Sequence, residues 1–173
     1  MNKFLIFLKN FAIWMLIFLP IIFSWYAVHE GAHAIVCKLE GGNPTLAQVF
    51  PHPAVNCDGI TLDGKLVISQ IGYFFYAIIP YIIGFLVLII ILWSKKINLA
   101  LFALVSMIMM DVSLNFVLSP FSTTDFTAIA HISVPLFILS WVIAFSEWMV
   151  GWVNLKRQWR GLRRKIFRNR HKS

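Results

Sequence analysis

Residues 11–37 read FAIWMLIFLPIIFSWYAVHEGAHAIVC. Positions 11–28 carry no charged side chain. Lipid offers the backbone no hydrogen-bond partner, so a run of roughly 20 apolar residues crosses a hydrocarbon core of about 30 Å as helix. Before the run ends, His29, Glu30 and His33 interrupt it. Ionisable side chains at membrane depth are costly and mark function by default, and the run holds no Lys or Arg to pair with Glu30. This stretch therefore predicts a membrane helix with chemistry at its far end.

The rest of the chain repeats the pattern. Of 173 residues, 60% are hydrophobic and 13% charged, where a soluble domain carries about 25% charged residues. Further apolar runs cover residues 69–93, 97–118 and 126–153. The expected fold class is an all-α membrane protein of about four transmembrane helices, with a short outer β-hairpin or re-entrant loop in residues 38–68. Residues 1–155 read as one transmembrane domain and 156–173 as a basic amphipathic tail. With four spans, the N-terminus, the Lys95-Lys96 turn and the tail share a side that holds 13 of the 15 basic residues. Basic residues are retained in the cytoplasm, so both termini are expected there, in a multi-pass cell-membrane protein. Ala32-His33-Ala34 has the form of a signal-peptide cleavage site, but a cut there would split the His/Glu cluster, so a retained span is expected.

The cluster has the form H-E-x-x-H. Histidines four apart share one face of a helix and can grip one Zn²⁺, while the intervening glutamate reaches the water such a metal activates. Gly31 and Ala32 leave room for an approaching group. A zinc site of this kind needs a third protein ligand, and Asp111 and Asp125 are the candidates, with Cys57, His52 and His131 behind them. Asp111 has a second reading, as a carboxylate partner for a ligating histidine. Asn115, four residues on, shares its helix face.

These residues resemble the site-2 protease family of intramembrane zinc metalloproteases, in its compact bacterial and archaeal form. The resemblance rests on H-E-x-x-H at 29–33 and on the order Asn115, Pro120, Asp125 in NFVLSPFSTTDFTAIA. Gly41-Gly42, Gly72-Tyr73 and TTDFTAIAHISVP extend it over most of residues 25–135. Phe126, where the family has Gly after its Asp, departs from it. The resemblance implies that His29, His33 and Asp125 hold Zn²⁺, with Asp111 as alternative third ligand. Glu30 would act as general base, and Asn115 would steady the oxyanion or the substrate backbone. The implied activity is hydrolysis of peptide bonds in or beside transmembrane segments of membrane-protein substrates, on the outer side of the membrane. Two other classes stay open: a non-catalytic membrane protein with a structural or sensing metal site, and a transport subunit using Asp111, Asn115 and His29.

The segment 38–68 mixes β-prone runs with Asp58-Gly59 and Asp63-Gly64 turn signals. An exposed strand edge there would suit an extended substrate. Cys37 and Cys57 both fall on the outer side, where an oxidising compartment would allow a disulfide; two free thiols are the slightly favoured expectation. In the tail, Trp152, Leu155, Trp159, Leu162 and Ile166 form one apolar stripe among basic residues, which suits a helix on anionic inner-leaflet lipid rather than nucleic acid.

Overall fold

The computed structural model describes residues 3–48, 54–58, 61–62, 65–66, 70–118, 129 and 133–170. These residues are mostly helical: α1 (Lys3–Leu39), α2 (Gln70–Ser94), α3 (Leu99–Leu118) and α4 (Val134–Arg170). Between α1 and α2 lie β1 (Asn43–Gln48), β2 (Ala54–Asp58), β3 (Thr61–Leu62) and β4 (Lys65–Leu66). By length and composition, three helical stretches can cross a membrane: Phe4–Leu39, Ile71–Ser94 and Val134–Lys165. The apolar stretch of α3, Leu99–Asn115, is shorter.

The helix ends follow local chemistry. Asn98 accepts the Leu101 N–H at 2.8 Å and caps α3. The end of α1 closes through Gly41, at φ 85°. Gly41 N–H donates to Lys38 O at 3.2 Å and Gly42 N–H to Cys37 O at 2.9 Å. These paired bonds form a Schellman turn, which needs a left-handed residue where glycine costs least. The turn reverses the chain into β1.

β1 and β2 pair antiparallel, with Pro44 opposite Cys57 and Leu46 opposite Val55. The hairpin expected in this region is therefore present, and β3 and β4 add a short second ladder. The free-thiol expectation fails: Cys37 and Cys57 form a disulfide, with Cα atoms 5.7 Å apart. The cause is the hairpin, which returns β2 onto the last turn of α1, a proximity that a separation of 20 residues does not encode. The bond also removes Cys57 from the possible metal ligands, because it leaves no thiolate to coordinate.

α2 and α3 each pack against both α1 and α4. One apolar cluster joins Phe74, Ile78 and Tyr81 of α2 to Val112 of α3 and Ala144 of α4. A second joins Trp25 of α1 to Leu88 and Ile91 of α2 and to Val105 and Ile108 of α3. Large apolar side chains such as Leu16, Ile90 and Trp93 point outward.

The basic tail continues the last apolar run as one helix, α4. The helix runs unbroken to Arg170; Ala144, Trp148 and Leu155 pack on the apolar clusters, and Asn154 and Gln158 are buried as well. Asn154 Nδ2 donates to Leu88 O at 2.8 Å and Gln158 Nε2 to Lys96 O at 2.7 Å. Arg157 donates to Ile91 O and Leu92 O. The last carbonyls of a helix lack intrahelical partners; Arg157 serves two of those of α2, Ile91 O and Leu92 O, whereas Leu88 O lies before that last turn and Lys96 O just beyond the helix. Trp152 and Trp159, from the apolar stripe, remain largely exposed.

Candidate metal centre

The histidines lie in the packed half of α1. Trp25, His29, His33 and Cys37 recur at four-residue steps and are all buried, so they form one inward stripe. The ligand atoms of His29, Glu30 and His33 all lie within 4.8 Å of one another, close enough for one ion to bridge them. The two imidazole centroids are 5.0 Å apart, with planes at 67°. Gly31, between them, has open space where a side chain would stand.

The partners of the imidazoles fix their tautomers. His33 Nδ1 lies 2.7 Å from Tyr76 O. A carbonyl only accepts, so Nδ1 carries the proton. His29 Nδ1 lies 2.8 Å from Asp111 Oδ2, an oxygen that also accepts the Trp25 Nε1–H at 2.8 Å. A carboxylate oxygen is likewise an acceptor, so His29 also donates from Nδ1. In both rings the lone pair for a metal then sits on Nε2, the arrangement found where an outer acceptor orients a ligating histidine. The donor set, two imidazoles beside a carboxylate, could hold a metal ion.

Glu30 is half-buried, and its Oε2 accepts the Val55 N–H at 2.9 Å. On the same residue, Val55 O accepts the Tyr76 hydroxyl at 3.3 Å. β2 thus lies across the motif. Tyr81 packs edge-on to His29, with centroids 5.7 Å apart.

The structure brings His29, Glu30, His33 and Asp111 together and places Asn115 behind Asp111. Asn115 Nδ2 donates to Asp111 O at 3.1 Å and lies 3.5 Å from Oδ1. Asp125, His52 and His131 lie outside the described residues. Sequence reasoning missed Trp25, Tyr76 and Val55. Trp25, one turn before His29, carried a positional signal. Val55 acts through its backbone groups, which carry none, and Tyr76 through both its carbonyl and its hydroxyl. It also passed over Glu147, which is 1% exposed and packs where Gly84 has no side chain.

Comparison of the chain with models of protein families, with curated proteins and with solved structures finds no match.

Proposed function

We propose that the chain is an intramembrane zinc metalloprotease of the site-2 protease type, hydrolysing peptide bonds in or next to transmembrane segments. The observation that carries this is the shared tautomer of His29 and His33: Asp111 and Tyr76 O hold both Nδ1 protons, with Glu30 on the same turn of helix. A purely structural site needs the histidines but has no use for an intervening acid.

In this proposal His29 and His33 hold Zn²⁺ through Nε2. Asp125 is the third protein ligand, on the Asn115-Pro120-Asp125 pattern. Asp111 faces the Nδ1 side of His29, a placement that supports orientation of the ring rather than ligation. When bound, Zn²⁺ supplies the Lewis acidity that acidifies a water and polarises a carbonyl. Glu30 accepts the proton of the attacking water and returns it to the leaving amine. Asn115 steadies the oxyanion or, as its contact with Asp111 supports, the group that orients His29. The packed helices exclude bulk water and so strengthen each of these interactions.

The membrane reading that goes with this has four spans, α3 included, both termini in the cytoplasm and the site toward the outer side. The Cys37–Cys57 disulfide lies at the same end of α1 as the motif, which supports that orientation because disulfides persist in oxidising compartments. The basic end of α4 then meets anionic inner-leaflet lipid. The test is cleavage of a transmembrane-peptide library by the purified protein, with and without a zinc chelator. Cleavage that stops with chelator and returns with Zn²⁺ is expected; chelator-resistant cleavage would overturn the proposal.

A further inference from the structure

The strand laid over Glu30 has a definite edge chemistry. In an antiparallel ladder, opposed pairs alternate between those that exchange both backbone bonds and those that exchange none. Pro44, opposite Cys57, has no N–H to exchange, and Leu46–Val55 is two positions further along the same ladder. Val55 is thus of the non-bonded kind, and its N–H and C=O point away from β1. Their partners agree: Glu30 Oε2 takes the N–H and the Tyr76 hydroxyl reaches the C=O. Two residues along, Cys57 is bonded to Cys37, one turn beyond His33. Gly42 packs flush against that bond: a Cβ there would lie 2.6 Å from Cys57 Sγ and 2.8 Å from Cys37 Sγ. Three ties from two helices therefore fix the three residues Val55, Asn56 and Cys57 of β2 relative to the H-E-x-x-H turn.

A carboxylate on a helix rotates about three side-chain bonds, and a general base contributes only when held within hydrogen-bond reach of the proton it takes. One oxygen of Glu30 is engaged by a backbone donor that cannot itself rotate away. We propose that β2 is the positioning element of Glu30: the Val55 N–H orients the carboxylate, and the Cys37–Cys57 disulfide keeps Val55 in place. Val55 and Cys57 are positioning residues, acting through Glu30 rather than on substrate. Their effect on turnover rests on the proteolytic reading above, whereas the hydrogen bond itself does not. Reduction of the disulfide then loosens the base without touching either histidine.

The experiment has two arms. In the first, hydrogen exchange of the Val55 amide is followed in purified wild type, Glu30→Ala, Glu30→Gln and Cys37→Ser/Cys57→Ser protein. Glu30→Gln retains a carbonyl acceptor, so protection is expected to survive there and to fall about tenfold or more in the other two variants. Unchanged Val55 exchange in Glu30→Ala overturns the proposal whatever the protein cleaves. In the second arm, Val55→Pro removes the outward N–H, a loss tolerated at strand edges, and also replaces the side chain and fixes φ. Its kcat is expected to fall tenfold or more with KM and bound zinc unchanged. A loss confined to KM or to metal content overturns the proposal. Absence of cleavage by wild type contradicts the proteolytic reading alone, and the exchange arm still decides this one.

Discussion

If Asp111 orients His29 rather than ligating the metal, Asp111→Asn should weaken metal binding without abolishing it. The contact to be altered is the 2.8 Å bond from His29 Nδ1 to Asp111 Oδ2, between side chains that are 8% and 10% exposed. Hydrogen bonds to charged groups contribute about 1.5–3 kcal/mol net, and partners of ligating histidines typically affect metal affinity by about 10–100-fold. Asparagine keeps an acceptor for Nδ1 but loses the charge, so a loss near the lower bound, about tenfold, is expected. Asp111→Ala also strands the Trp25 Nε1–H, which now donates to the same oxygen at 2.8 Å. An unsatisfied buried donor costs about 1–3 kcal/mol, so this variant should lose thermal stability even without metal. The assay is competition against a chromogenic zinc chelator, with metal stoichiometry measured in parallel. A stoichiometry that stays at the wild-type value with weaker affinity fits the orienting role. Complete loss of zinc in Asp111→Asn would make Asp111 a ligand, and unaltered affinity would refute the coupling.

Three further outcomes follow from packing. Gly84→Ala would place a Cβ 2.0 Å from Glu147 Oε1; overpacking of this kind costs about 1–3 kcal/mol, and Glu147→Ala in the same chain should restore much of the lost melting temperature. Gly42→Ala should lower the fraction of disulfide-bonded protein, read by a maleimide gel shift, because its Cβ would overlap both sulfurs. Arg157→Ala should lower the melting temperature in detergent, since it uncaps Leu92 O and leaves Ile91 O to the Ser94 hydroxyl alone at the end of α2, at about 1–2 kcal/mol. An unchanged melting temperature would show that water serves those carbonyls equally well.

The helices were legible because their signals are local. Apolar runs marked α1, α2 and α3 to within a few residues over their interior ends, and Asn98 and Gly41 stand at ends where their chemistry belongs. The H-E-x-x-H turn was legible for the same reason: a four-residue step on a helix fixes a shared face. What escaped was set by chain return. Nothing in the sequence places Cys57 against Cys37, or the Val55 N–H against Glu30, until the register of β1 and β2 is known. The role of Asp111 turned on which nitrogen of His29 it would meet, 82 residues away. In the tail, the inward placement of Asn154 and Gln158 was not legible, because their acceptors, Leu88 O and Lys96 O, meet them only once α2 and α4 pack.

The most direct test of the central claim compares wild type with Glu30→Gln in one preparation, measuring bound zinc and cleavage of transmembrane peptides together. Equal zinc in both, with cleavage by wild type alone, is the predicted result. Wild-type protein without zinc, or Glu30→Gln protein that cleaves as well as wild type, would contradict it.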